Sequence, residues 1–312
     1  MKKCMPWRSV LLTAALLASN VTQAYQPELH QQLTFLSAKQ ISRCMPHWQQ
    51  ADSALAMNPL STLDMRYVVR ANVARAKGFF FLRMFRWNYL DVSQNDSDPV
   101  WGMFDTRFNS RFHELTELLV AESQQRERLE ALGSLLSYIQ DVSTPSRVVP
   151  VYTGRWWSFS LQDRFDRYPV DVQRLEAVGQ SLCQSVMTHV QDIANDDVGE
   201  ALSQLLFYSA RQTIVAVSSE INGMPAQWTA FWQPAQPDPN EPSSRAFGEY
   251  GVAGNNFGDR VEFRCGETGG DTLRCILLND DPLYQDFAFA RHLSAVEATM
   301  VAMLIVQQRE LL

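Results

Sequence analysis

The chain has 312 residues, 46% of them hydrophobic and 20% charged, which supplies a substantial core and excludes a disordered, collagen-like or fibrous protein. Lysine and arginine number 27 against 34 aspartates and glutamates, a formal net charge of -7. That balance argues against broad duplex nucleic-acid binding, which draws its affinity from cationic surface displacing phosphate counterions, though it leaves room for a local basic cleft.

Residues 1–24 read as a secretory signal. Lys2 and Lys3 form a positive start, Val10 to Leu17 an apolar run, and Thr22-Gln23-Ala24 a small-residue exit. The run is too short to span a bilayer, and no later segment approaches the roughly 20 apolar residues required. An uncleaved anchor is the alternative reading. Cys4 precedes the apolar run, so lipid attachment is not expected. Cleavage removes Lys2, Lys3 and Arg8, leaving 288 residues with 24 cations against 34 acids, a net charge of -10. The expected product begins at Tyr25 and is exported, with the periplasm the first destination and the medium the second.

Beyond the signal, residues 25–312 read as one mainly helical domain. Helical character is expected over 66–90, with Gly78-Phe79-Phe80-Phe81 as an interruption, and over 129–141, 170–194, 199–220 and 284–311. Breakers gather at 92–99, 143–154 and 233–258. The last of these opens with Pro234, Pro237, Pro239 and Pro242, turns glycine-rich, and reads as a surface excursion leading into a hairpin. The loop and hairpin together form a small insertion over 233–282. Four cysteines remain after cleavage, and an oxidising compartment allows three pairings. Cys265 and Cys275 flank Gly266-Glu267-Thr268-Gly269-Gly270-Asp271, a turn-rich run between two apolar segments, which suggests a hairpin closed by its own bridge. Cys44 and Cys183 then join two distant helical segments, and no cysteine is left for catalysis.

Several features have plain readings. Gly248, Gly251, Gly254 and Gly258 lack the strand and the Gly-Lys-Ser/Thr of a phosphate-binding loop and read as flexible loop. His113 and Glu117, four apart on a helix, read first as a solvated face and second as a metal pair. There is no Gly-x-Ser-x-Gly and no Cys-x-x-Cys.

The most distinctive segment is Leu132-Gly133-Ser134-Leu135-Leu136-Ser137-Tyr138-Ile139-Gln140-Asp141-Val142-Ser143-Thr144-Pro145. Glu130, Ser134, Ser137 and Asp141 fall in a polar stripe, while Leu132, Leu135, Leu136 and Ile139 cover the rest of the circumference. One reading is a buried helix lining a cavity. The other is a core helix whose serines bond back to their own carbonyls.

This segment resembles the zinc-dependent phospholipases C and the fungal single-strand nucleases, which share one mainly helical fold. Their helix reads roughly Leu-Gly-x-x-x-His-x-Ile-x-Asp, then x-x-x-Pro-x-His, with a later His-x-x-x-Asp/Glu pair. The resemblance implies that fold, and a centre of three zinc ions that also uses the α-amine and carbonyl of the mature N-terminal residue and a histidine a few residues on. In this sequence Tyr25 takes the terminal position, His30 the nearby histidine, Asp141 the metal-bridging aspartate and Asp166 the later carboxylate. The other positions depart from the pattern: Ser137, Arg147 and Gln162 stand where histidines belong, Asn88 in Arg86-Trp87-Asn88-Tyr89 takes another, and Ala76 is the best placement of the remaining aspartate. His47, His113, His189 and His292 fit no ligand position.

Zinc prefers nitrogen, thiolate or carboxylate donors, usually four per ion, so serine, asparagine and glutamine are poor replacements and a permanent arginine cation is worse. The resemblance therefore implies that most of the centre, which would hold a phosphodiester and activate water, is lost. The expected function is a non-catalytic binding or regulatory protein on the phospholipase C/nuclease scaffold. Its expected partner is an anionic small molecule, a phospholipid headgroup or another protein, with Trp87, Trp156 and Trp157 as cleft walls or core. Arg147 is expected to pair with Asp166 or Asp141 in place of metal charge. Two alternatives are carried. One is a reduced phosphodiesterase with a single zinc on Tyr25, His30 and Asp141, the last as its catalytic residue. The other is an envelope protein that inhibits, or protects against, a lipase or nuclease.

Overall fold

Apolar residues recurring every three or four positions drive most of the chain into helices. The computed structural model describes residues 27–51, 60–76, 90, 92, 108–149, 151, 163–193, 196–234, 248–268 and 271–309. Helix α1 (Pro27–Ala51) starts on a proline, whose missing N–H costs nothing in the first turn, and buries Leu29, Leu33, Ile41 and Cys44 along one face. Helix α2 (Thr62–Ala76) follows Ser61, whose Oγ accepts from the Asp64 N–H and donates to the Asp64 carboxylate. Helices α3 (Phe108–Ala121) and α4 (Gln125–Asp141) come next, then the short α5 (Pro145–Val148). Helices α6 (Val172–Ala177), α7 (Gly179–Asp192) and α8 (Val198–Val217) lead to two small sheets, and α9 (Pro282–Gln308) closes the described chain.

Several boundaries differ from the sequence expectation. The stretch 170–194 is two helices meeting at Val178 rather than one, and Gly179 packs against the Gln40 side chain of α1. The helix expected over 66–90 is described as Thr62–Ala76, and residues 77–89 lie outside the described residues. The segment after Gln233 is not simply a surface excursion. Strand β1 (Trp232–Gln233) pairs antiparallel with β2 (Glu249–Tyr250), and Ala253 and Phe257 are buried. Gly251 is no flexible spacer, since a Cβ there would lie 2.5 Å from the Thr229 carbonyl oxygen.

Strands β3 (Val261–Thr268) and β4 (Asp271–Leu277) form an antiparallel hairpin near the C-terminus. The register runs from Val261 opposite Leu277 to Thr268 opposite Asp271, and breaks between Arg264 and Gly266. The Cys265–Cys275 disulfide joins the two strands, with Cα atoms 5.8 Å apart. A second disulfide, Cys44–Cys183, ties α1 to α7 across 139 residues, with Cα atoms 5.4 Å apart. A bridge over so long a loop removes considerable freedom from the unfolded chain.

Helix α9 is the axis of the assembly and packs against α1, α4, α7 and α8. By length and composition it is apolar enough to cross a membrane, so the expectation that no later segment approaches such a span is corrected. The physical reason is that a central helix packed by several neighbours carries apolar residues on most of its circumference, and 67% of its most apolar window is buried. Helices α2 and α4 approach closely at Gly133, where a Cβ would fall 2.1 Å from the Val68 carbonyl oxygen. An aromatic cluster of Phe165, Trp228, Phe231, Trp232, Phe257, Tyr284 and Phe287 fastens the sheet region to α9.

Candidate functional site

The close approach of α2 and α4 brings Arg75 of one beside Asp141 of the other. Arg75 Nη1 lies 2.8 Å from Asp141 Oδ2, and the guanidinium stacks over the Tyr138 ring with Cζ 3.2 Å from its centroid. Phe108 and Phe112 of α3 meet that ring edge-on, at centroid distances of 4.5 and 6.2 Å. Helix α1 supplies His30, fully buried, whose Nε2 is 3.3 Å from Asp141 Oδ1.

A hydrogen-bonded core fixes the imidazole. Thr34 Oγ1 donates to the His30 carbonyl at 2.9 Å and Thr299 Oγ1 to the Ala295 carbonyl at 2.7 Å, so each hydroxyl has spent its one proton. Both must therefore accept from Gln140 Nε2, at 2.9 and 3.3 Å. The amide orientation follows, and Gln140 Oε1 accepts from Asn72 Nδ2 at 3.2 Å and from His30 Nδ1 at 2.6 Å. His30 Nδ1 thus donates to Gln140, and Nε2 is turned toward the Asp141 carboxylate. Burial alone would raise the Asp141 pKa. Arg75 foremost, then His30 and Arg147, reverse that and hold the carboxyl well below the usual carboxylate range.

A second buried carboxylate stands in a different setting. Asp163 Oδ2 accepts from Trp232 Nε1 at 2.7 Å and from the Tyr250 hydroxyl at 3.0 Å, and Oδ1 accepts from the Phe165 N–H at 2.8 Å. Burial raises its pKa despite these donors and the charge of Arg147. Asp166, buried on the 3-10 turn Phe165–Arg167, completes the acidic group, and its charge is felt at the Tyr250 hydroxyl.

The structure brings His30 and Asp141 together and puts the half-buried Arg147 where its charge lowers the pKa of both Asp141 and Asp163. The cation in contact with Asp141 is nevertheless Arg75, which sequence reasoning passed over although it adjoins Ala76. Ala76 itself is buried core, and Asn72, one turn earlier, reaches the polar network. Ser137 is buried, but its Oγ donates to the Ser134 carbonyl at 2.8 Å and Ser134 Oγ to that of Glu130 at 3.0 Å. The two serines thus bond back to their own helix, while Glu130 and Ser134 also line an open pocket with Arg70 and Arg126, and Asp141 reaches across to α2 and α1. Gln140 and Asp163 both lay inside quoted segments, and only the tertiary contacts reveal their roles. His113 and Glu117 sit 3.3 Å apart and about 70% exposed, a solvated pair. Tyr25, Trp87, Asn88, Trp156, Trp157 and Gln162 lie outside the described residues.

The donors do not fit a centre of three zinc ions. Arg75 occupies one oxygen of Asp141, the Ser137 hydroxyl is spent on its own helix, and Arg147 adds a second fixed cation. Among the described residues no group of three or more histidine, cysteine, aspartate or glutamate side chains is placed to hold a metal ion. Comparison of the chain with family models, with curated proteins and with solved structures returns no match.

Proposed function

We propose that this chain is an exported, non-catalytic binding or regulatory protein built on a scaffold of the zinc phospholipase C/nuclease type. The observation that carries the reading is the Arg75–Asp141 contact at 2.8 Å, which sets a fixed organic cation on the carboxylate that would otherwise bridge metal ions. Ser137 is turned into its helix, and among the described residues no group of three or more metal-ligating side chains is placed to hold an ion that would activate water. The buried cluster then serves to hold α1, α2, α4 and α9 together under the surface that meets a partner. That partner belongs to the anionic small molecules, phospholipid headgroups or proteins, and the compartment is the periplasm.

The test uses the chain beginning at Tyr25. Elemental mass spectrometry after mild dialysis is expected to find less than about 0.1 zinc per chain. Bis-p-nitrophenyl phosphate and phosphatidylcholine vesicles are expected to remain unhydrolysed with or without added zinc, and chelator to leave the melting temperature unchanged. About one zinc per chain, lost in His30→Ala, together with zinc-dependent hydrolysis, would replace this reading with the single-metal phosphodiesterase on Tyr25, His30 and Asp141.

A further inference from the structure

The two disulfides differ in what they close and in what can reach them. Cys44–Cys183 spans 139 residues, and opening it would release α1 from α7. Cys44 is fully buried. Cys183 borders a hollow of about 230 Å³, yet it is only 6% exposed, and the Gln40 amide nitrogen lies 3.5 Å from both sulfurs. Cys265–Cys275 spans 10 residues within one hairpin. There Cys275 is buried and Cys265 is half-buried.

The strand register accounts for that asymmetry. Arg264 pairs with Arg274, and pairing resumes with Gly266 opposite Leu273, so Cys265 is the extra residue of a β-bulge. A bulge re-aims the side chains of the strand that carries it. Among the described residues, Cys265, Arg264 and Phe263 line an open cleft of about 500 Å³ together with Gln227, Thr229 and Gln233. Small-molecule sites typically enclose roughly 300–1,000 Å³ and mix apolar walls with a few polar groups. Arg264 is paired with Glu267, so its charge is balanced. The hairpin does not depend on its bridge alone. Strand pairing continues on both sides of the bulge, and Val261, Phe263 and Leu277 anchor it in the core. A bridge over so short a loop also constrains the unfolded chain less than one across 139 residues.

We infer that Cys265–Cys275 is a thiol-exchange site, at which a small-molecule thiol seated in this cleft becomes joined to Cys265. The thiolate of the small molecule attacks Cys265 Sγ, the bond between the two cysteine sulfurs breaks, and Cys275 leaves as a thiolate that takes up a proton. The product is a mixed disulfide on Cys265 with a free thiol on Cys275. A second small thiolate attacking the outer sulfur of that mixed disulfide releases Cys265 as a thiolate. Two small thiols are then oxidised to one disulfide, and the protein disulfide has accepted the two electrons. Exchange rates follow access to the attacked sulfur, so the half-buried Cys265 reacts and the enclosed Cys44–Cys183 bond stays closed. This site is independent of the proposed function and of any metal.

The experiment exposes the folded protein, with both disulfides formed, to reduced glutathione or to 2-mercaptoethanol. Samples are quenched in acid, free thiols are alkylated, and adducts are located by peptide mass spectrometry, with folding followed by near-ultraviolet circular dichroism. In wild type the hairpin disulfide is expected to open at least about tenfold faster than Cys44–Cys183, with the glutathione adduct on Cys265 and the folded spectrum retained. Gln227→Trp, which fills the cleft from an exposed position, is expected to slow glutathione about fivefold and the smaller 2-mercaptoethanol much less. Should that variant fail to fold, Val252→Trp fills the same cleft from a residue that is 66% exposed. Adducts mainly on Cys275 overturn the inference, and so do equal rates at the two disulfides or opening only together with loss of the folded spectrum. A folded, cleft-filled variant that reacts with glutathione as fast as wild type also overturns it, because the thiol then does not use the cleft.

Discussion

Asp141 and Asp163 are both buried carboxylates, yet their surroundings treat them in opposite ways. Asp141 has a guanidinium on one oxygen and an imidazole facing the other, and its charge is held firmly. Among the described residues the printed donors to Asp163 are neutral, an indole, a phenol and a backbone amide, and burial pushes its pKa upward in spite of them and of the Arg147 charge. Dipoles satisfy the hydrogen-bonding capacity of a carboxylate, but a nearby full charge is what offsets the loss of water. The first arrangement ties four helices together. The second pins the 163–167 turn to the β1–β2 sheet.

The largest effect expected from this contrast is on stability. Asp141→Ala leaves Arg75 buried on Tyr138 without its partner and should cost about 3–5 kcal/mol in urea unfolding. Trp232→Phe, which removes one neutral donor from Asp163, should cost about 1–3 kcal/mol. Equal losses would show that the two carboxylates are energetically alike and would break the comparison.

A pH series sharpens it. Near the Asp163 turn, His292 lies fully buried on α9, its ring 5.7 Å from Phe165, and burial pushes its pKa down to about 3 from an ordinary 6.5. The folded state thus takes up its proton later than the unfolded state. The stability this contributes is complete above about pH 6.5 and is lost as pH falls toward 3, amounting to about 4 kcal/mol at the lower end. Asp163, with its raised pKa, works in the other direction, and stability falls as pH rises from the ordinary carboxylate value to the raised one. Unfolding free energies from pH 3 to 8 should therefore decline less steeply on the acid side in His292→Leu than in wild type. Parallel curves would show that His292 takes no part.

The smallest effect belongs to Ser137. Its hydroxyl is spent on the carbonyl of Ser134 in its own helix, so Ser137→Ala should change stability by less than about 0.5 kcal/mol and leave zinc binding as it was. A loss above about 2 kcal/mol, read from the same urea curves, would place that hydroxyl in the polar network after all.

Local features were readable without coordinates. Apolar spacing marked α4, α8 and α9 to within a few residues, and the turn-rich run between Cys265 and Cys275 marked the hairpin. These signals are local because a helix or a tight turn is decided by residues a few positions apart. The division at Val178 and the burial of Ala253 and Phe257 were not readable, since each depends on a neighbour far along the chain.

The site divides in the same way. The sequence by itself determined that His30, Asp141 and Asp166 are present, and that serine stands at 137 and arginine at 147. Only the tertiary structure decided that Asp141 is held by Arg75, that Gln140 accepts from His30 Nδ1, and that Asp163 is buried as well. Arg75 and Asp141 are 66 residues apart, His30 and Gln140 110. No spacing rule reaches across such distances. The contacts exist because Gly133 lets α2 and α4 approach closely and because the largely apolar α9 draws α1 and α4 onto one axis.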